Sequence, residues 1–191
     1  MKKRIVIGMS GASGAPLTVD VLRELQRHDE WESHLVVSHA AERTLCTETS
    51  VSFESLCKMA DVFYEVDDIG AAIASGTFRT EGMIVVPCSM KTLAGIANGY
   101  ADNLLLRAAD VTLKQHRRLV LAVRETPMHA IHLRNLLEVV QLGAVALPPM
   151  MTFYTRPTNI DDMVHHITGK LLDEFGIETV DFQRWMEDSP V

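Results

Sequence analysis

The sequence predicts an α/β fold: a single parallel sheet with helices on both faces, three layers in all. Three observations predict it. Short apolar, β-branched runs recur along the chain, among them Ile5-Val-Ile7, Leu35-Val-Val37, Ile84-Val-Val86 and Leu119-Val-Leu121. Stretches with helical apolar spacing separate them, the alternation that buries parallel strands between two helix layers. Several runs also end in small, hydroxylated or charged residues, which is where such sheets hold their ligands.

Taken in order, residues 4–9 form the first strand and 10–14 a turn, and Pro16 suits the first turn of a helix carrying Leu22 and Leu25. Gly8, Gly11 and Gly14 match neither the G-x-G-x-x-G dinucleotide fingerprint nor a Walker loop nor a G-x-S-x-G elbow. Gly11, Ala12 and Ser13 still let a backbone approach a ligand closely; a plain tight turn reads equally well from this segment alone. Residues 34–37 give a second strand ending at Ser38, then a helix from about Ala40 that contains Glu48. Ser52 can cap another short helix, 62–66 is a weaker strand, and 69–75 reads as a short helix stopped by Gly76.

Residues 83–86 are the fourth strand, ended by Pro87, which has no N–H for a ladder. Ser89 and Thr92 then bring hydroxyls and free N–H groups to a helix start, where the dipole favours an anion. The next helix is expected to carry Arg107, Lys114 and Arg117. Arg107 and Lys114, seven residues apart, share a face that is usually a solvated one. Residues 119–123 make a fifth strand that runs into Arg124-Glu-Thr-Pro127. A helix from about 130 to 142 stops at Gly143, 144–147 is a sixth strand, and an amphipathic helix over 161–175 stops at Gly176.

One domain, 1–191, accounts for the whole chain, with a tail from about 177 that carries Trp185 and no strong periodicity. Apolar residues at 47% and charged ones at 23% fit a globular protein and exclude a disordered one. The net charge of −7 argues against nucleic acid as a partner but leaves anionic ligands open. Three cysteines, Cys46, Cys57 and Cys88, form no C-x-x-C pair, which fits a reducing compartment. The basic start leads only to Ile5-Val-Ile7 before glycines interrupt it, too short for a signal peptide, and no apolar run reaches membrane-spanning length. A cytoplasmic protein with no membrane partner is the expectation.

Several turns therefore converge on one sheet edge: Gly11-Ala-Ser13, Ser38, Ser89-Met-Lys-Thr92 and Arg124-Glu125. Such an edge suits a nucleotide-like cofactor. Glu125 follows a core strand, where burial leaves its pKa open to adjustment; a buried pair with Arg124, or one with Lys114, reads equally well. Glu48 reads as a solvated helix-face residue, with catalysis as the alternative. The acids Asp67-Asp68 and Asp161-Asp162 complement helix dipoles rather than holding a metal. His165 and His166 are adjacent and point in different directions, so no shared metal site is expected. Cys88 reads as a small buried residue, and Tyr154 and Trp185 as core or interface aromatics.

A set of segments is more specific. Gly11-Ala-Ser-Gly14, Pro87-Cys-Ser-Met-Lys-Thr-Leu93, Arg107-Ala-Ala-Asp-Val111, Leu113-Lys114, Arg124-Glu-Thr-Pro127, His132-Leu133 and Phe153-Tyr154 together resemble the UbiX-type flavin prenyltransferases. The resemblance runs from about Arg4 to Trp185. It implies a flavodoxin-like fold, a homo-dodecamer, and transfer of a dimethylallyl group from dimethylallyl monophosphate to N5 and C6 of reduced FMN. It further implies that the prenylated FMN serves a UbiD-type decarboxylase in quinone synthesis or aromatic acid metabolism.

By the same resemblance, Gly11, Ala12, Ser13, Ser38, Ser89, Met90, Lys91, Thr92 and Arg124 match the FMN site, and Tyr154 and Lys170 the prenyl phosphate site. Ser13, Glu48, Lys114 and Glu125 match residues of the chemistry, with Arg107 near the phosphate. Some relatives carry Arg where Lys170 stands; lysine keeps the charge but loses the bidentate fork. The chemistry agrees with these residue types. A leaving monophosphate carries less charge than a diphosphate, so Arg107, Lys114 and Lys170 can stabilise it without the magnesium-binding aspartate clusters of diphosphate prenyltransferases. Rival readings are a flavin-dependent cysteine decarboxylase of the same superfamily, whose Pro-x-Met-Asn segment is replaced here by Pro148-Pro-Met-Met151, and a non-catalytic flavodoxin-like electron carrier.

Overall fold

A computed structural model describes residues 2–186 of the protein. Six strands form one sheet: β1 (Lys3–Met9), β2 (Trp31–Val37), β3 (Val62–Tyr64), β4 (Gly82–Cys88), β5 (Arg118–Val123) and β6 (Val145–Ala146). Their order is β3-β2-β1-β4-β5-β6 and every neighbouring pair is parallel. After β3 the chain returns past β1 to lay down β4, so the winding reverses between β1 and β4 and opens a crevice at their carboxyl ends.

The central strands are buried on both faces, and their period of two sends alternate residues into two cores. Ile5 and Ile7 of β1 and Ile84 and Val86 of β4 join one core. It is closed by Leu22 of α1 (Ala15–Leu25), Leu45 of α2 (His39–Glu48), Leu56 of α3 (Phe53–Met59) and Leu171 of α7 (Ile160–Asp173). Val6, Met83 and Val85 face the other core, with Leu93 of α4 (Met90–Ala97), Leu105 of α5 (Leu104–Lys114) and Val139 of α6 (Ala130–Gln141). Each fully buried aliphatic side chain stabilises the fold by about 1.5–3 kcal/mol relative to exposure. The three-layer α/β sandwich is therefore the predicted one.

Local differences have local causes. β4 does not stop before Pro87 but runs through it to Cys88, because the β4–β5 register shifts between Val85 and Cys88 and no ladder N–H is required there. The helix expected over 69–75 shrinks to a 3₁₀ turn at Ala72–Ala74, since Ile69 is exposed and supplies no packed face. The edge strands β3 and β6 are shorter than their apolar runs, as unpaired edges usually are. Arg117 lies past the end of α5, where its guanidinium donates to the carbonyls of Gly76 (2.7 Å) and Phe78 (2.9 Å) and is not a helix-face cation.

Other expectations hold. Ser52 caps α3 by accepting from Ser55 N–H, and Gly143 and Gly176 follow their helices with φ of 94° and 67°. Asp162 completes a capping box with Asn159, so the paired acids serve the start of α7. His165 bonds Asp20 and the Val180 carbonyl while His166 faces Tyr154, so the two rings diverge.

Candidate functional site

The crevice at the strand reversal is built around a buried hydroxyl. Ser10, at the end of β1, donates through Oγ to the Pro87 carbonyl at 2.7 Å and accepts from Ser89 N–H at 2.8 Å. One residue thus staples the turn after β1 to the turn after β4. Beside it lies a cavity of about 410 Å³ bordered by Gly11, Ser38, His39, Ser89, Thr92 and Asn103, a size that takes a cofactor-class ligand.

Three helices begin at this rim, and each contributes its N-terminal flanking residue. Ser89 caps α4 by accepting from Thr92 N–H, and Asn103 caps α5 by accepting from Leu106 N–H. Ser38 does not cap α2, and its Oγ is buried without a hydrogen-bond partner among the described residues. The first N–H groups of α2 and this orphaned hydroxyl are therefore available to an anion, which the helix dipole favours. At Gly11 a Cβ would stand 2.6 Å from the Ala40 Cβ, so only glycine lets the β1 turn pack against the start of α2.

Glu48, the last residue of α2, has a structural task. Its Oε2 accepts the backbone N–H groups of Gly14 and Ala15, both at 2.8 Å, and so caps α1, whose own flanking residue Gly14 offers no side chain. Burial alone would push this carboxyl up. Hydrogen bonds from the Ser13 hydroxyl, Gly14 and Ala15, together with the Arg124 charge, outweigh it and hold the group below the usual carboxylate range. Ser13, Glu48 and Arg124 are thus one electrostatic cluster, set on the turn after β1 whose Gly11 borders the cavity. Glu48 is not a solvated face residue.

Glu125 is half-buried and accepts from Thr126 N–H at 3.0 Å. Arg124 is exposed, and among the described residues neither it nor Lys114 makes an ion pair with Glu125, so the buried Arg124–Glu125 pair is not formed. Burial lifts the Cys88 thiol to about 12, which keeps it protonated and removes it as a nucleophile.

Lys91 borders the cavity, whereas Arg107 and Lys114 are not among its lining residues. Arg107 is bound to Asp110 (2.6 Å) and to the Ala74 carbonyl (3.2 Å). Lys114 is exposed at the far end of α5, eleven residues after Asn103, or about 16 Å along the axis. Tyr154 and Lys170 do converge with each other: Lys170 Nζ donates to Thr152 Oγ1 at 3.3 Å, and Tyr154 Oη lies 3.4 Å from His166 Nε2. Lys170 lies on α7 and Tyr154 on the loop packed against it; α7 ends near the amino edge of the sheet, where Phe175 packs edge-on against Trp31. One chain therefore presents three groups: the cavity cluster, the α5 cations, and the α7 pair.

Sequence reasoning missed Ser10, Asn103 and His166. Asn103 carried a readable signal, a polar residue directly before the apolar run Leu104-Leu-Leu106. Ser10 and His166 carried none, since their partners lie in distant segments.

The flavoprotein family model, described as "Flavoprotein", matches residues 1–172. The chain is 50% identical over 186 residues to "Flavin prenyltransferase LpdB" of Lactiplantibacillus plantarum, covering 97% of this chain and 100% of that protein. Among solved structures, AnUbiX (PadA1) in complex with FMN and dimethylallyl pyrophosphate superposes with a TM-score of 0.95 at 48% identity, covering 97% of this chain and 98% of that one. A dodecameric FMN-dependent UbiX-like decarboxylase from Escherichia coli O157:H7 also gives 0.95 at 48% identity, covering 96% and 99%.

Proposed function

Because the chain belongs to the flavoprotein family and, within it, to the UbiX-type flavin prenyltransferases, we infer that it transfers the dimethylallyl group of dimethylallyl monophosphate to N5 and C6 of reduced FMN. The observation that carries the FMN site is the strand-reversal cavity with the uncapped α2 and the unpartnered Ser38 hydroxyl. Ser38 and the first N–H groups of α2 would take the flavin's phosphate. Gly11, Ala12 and Ser13 would allow its close approach; Ser89, Lys91 and Thr92 border the cavity, and Met90 and Arg124 would complete the flavin's contacts. When bound, reduced FMN supplies the nucleophilic N5 and C6.

The protein's own work is electrostatic. Breaking the allylic C–O bond puts negative charge on the departing phosphate and positive charge on the allyl carbon. Lys170, Arg107 and Lys114 stabilise the phosphate, and Tyr154 donates a hydrogen bond to it. Glu125, without an ion pair among the described residues, moves a proton to or from the phosphate through its carboxyl. Glu48, held as a carboxylate, orients the Ser13 hydroxyl and favours positive charge at the allyl fragment; with its pKa depressed it is a weak base for the C6 proton.

Arg107 and Lys114 on α5, and Tyr154 and Lys170 by α7, are too dispersed in one chain to meet at one phosphate. The site is therefore completed between copies, and the dodecameric relative supports a dodecamer here. The exposed apolar residues Leu133, Leu137 and Val140 on α6, with Met150, Met151 and Phe153, supply contact surface for that assembly. The product passes to a UbiD-type decarboxylase in the cytoplasm; among the described residues no helix is long and apolar enough to cross a membrane. Anaerobic incubation with reduced FMN and dimethylallyl monophosphate tests the reading. A flavin heavier by one five-carbon unit is expected, and an unaltered flavin mass contradicts it.

A further inference from the structure

Helix α7 grips the loop after β6 at two points one turn apart. Lys170 Nζ holds Thr152 Oγ1, and His166 Nε2 lies 3.4 Å from Tyr154 Oη. Four residues separate His166 from Lys170, so both project from one helix face. His166 is 6% exposed and Tyr154 42%: the imidazole is the buried anchor and the phenol the reaching group.

The imidazole is fixed on two sides. Tyr154 meets it edge-on with ring centroids 5.6 Å apart, and Phe182 packs on it at 5.2 Å. Phe182 reaches that position only because residue 169 is glycine, where a Cβ would stand 2.2 Å from the phenylalanine ring. The tail segment is pinned by a 2.6 Å contact between His165 Nε2 and the Val180 carbonyl.

We propose that His166 is a positioning residue for the prenyl transfer: its Nε2–H donates to Tyr154 Oη and leaves the phenol O–H free to donate to the prenyl phosphate. This inference rests on the reading of Tyr154 and Lys170 as the phosphate-holding pair. A phosphate oxygen bearing no proton only accepts, so Tyr154 must direct its single proton to the phosphate. The Oη lone pairs are then left to accept, and Nε2 is the one hydrogen-bond partner of Oη among the described residues.

That requirement assigns the tautomer, with the proton on Nε2 and a bare Nδ1. Burial, then the Lys170 and His165 charges, pushes the imidazole pKa down, so the ring is neutral near pH 7 and carries a single N–H. The opposite tautomer would capture the phenol proton and turn the oxygen's lone pairs toward an anion.

The test is a double-substitution cycle on the full assembly. Initial rates are measured at saturating reduced FMN with dimethylallyl monophosphate varied. His166→Leu is expected to raise KM for the phosphate roughly tenfold, because the phenol that donates to the charged ligand loses the bond that orients it, with FMN affinity unchanged. His166→Gln, whose amide N–H can reach Oη, should recover most of it. In a Tyr154→Phe background the same His166→Leu change should add less than about twofold, because the group it acts through is gone. An equal penalty in both backgrounds, no penalty in either, or loss of FMN binding and assembly in both His166 variants overturns the proposal. An inactive wild-type protein would instead sink the prenyltransferase reading, and this inference with it; an active wild type with unaffected variants sinks the inference alone.

Discussion

Glu48 Oε2 accepts the backbone N–H of Gly14 at 2.8 Å across a sequence separation of 34 residues, so the end of α2 caps the start of α1. The same oxygen takes Ala15 N–H, and the carboxyl is held below its usual range. The turn after β1 is thereby fixed by a charge borrowed from another helix, and the Ser13 hydroxyl is oriented with it.

Glu48→Gln should destabilise the protein by about 1–2 kcal/mol, the value of a lost charged cap, read as a lower urea midpoint at neutral pH. The sign of the pH dependence follows from the depressed pKa. The carboxylate's contribution is present above the unfolded value of 4.5 and is lost as pH falls through the lower folded value. Wild type and variant should therefore converge in acid below that value; a gap that persists there contradicts the assignment.

Ser38→Ala should leave the ligand-free protein within about 0.5 kcal/mol of wild type, because Oγ has no partner to lose. FMN affinity should fall about tenfold, a hydrogen bond to a charged group. Equilibrium titration of flavin fluorescence reads the second effect and thermal unfolding the first. Unchanged flavin binding would remove Ser38 from the phosphate site.

Lys114→Ala should lower the prenylation rate on the order of 10²–10³-fold while FMN still binds, as expected for a lost charge-stabilising group. Lys114 is exposed, so the fold should be untouched. Assemblies mixed from Lys114→Ala and Tyr154→Phe chains should regain part of the activity, because some interfaces then draw one intact group from each copy. No recovery above the separate variants would contradict a site shared between copies.

His34 gives a second pH dependence. The ring is buried in β2 between Tyr64 Oη (2.9 Å) and Glu32 Oε1 (2.8 Å), with Glu32 also bound to Arg4. Burial pushes the imidazole down more than the Glu32 carboxylate lifts it, so the folded ring stays neutral. The unfolded chain then takes up a proton that the folded one does not, and stability must fall as pH drops below the unfolded value of 6.5. His34→Gln should flatten the urea midpoint between about pH 7 and 5. An equal slope in both proteins would assign that limb to other groups.

The strands and helix ends were legible because their causes are local. Ile5-Val-Ile7 and Ile84-Val-Val86 are apolar on both faces because helices cover both faces, and Ser89 caps a helix whose N–H groups lie three residues away. From sequence Glu48 reads as a face residue because its partners lie 34 and 33 residues upstream, and no periodicity encodes that. Periodicity put Arg107 and Lys114 on one face but could not say that Lys114 stands at the opposite end of α5 from the cavity. The helix misread over 69–75 has good spacing but no surface to pack on, which tertiary contact decides.

A crystal structure of the assembly with FMN and dimethylallyl monophosphate decides where the two ligands sit. The flavin phosphate is predicted within hydrogen-bond distance of Ser38 Oγ and the first N–H groups of α2, with the prenyl phosphate held by Tyr154 and Lys170 of one copy and Lys114 of another. A flavin bound away from the strand-reversal cavity, or a prenyl phosphate that touches neither Tyr154 nor Lys170, would contradict it.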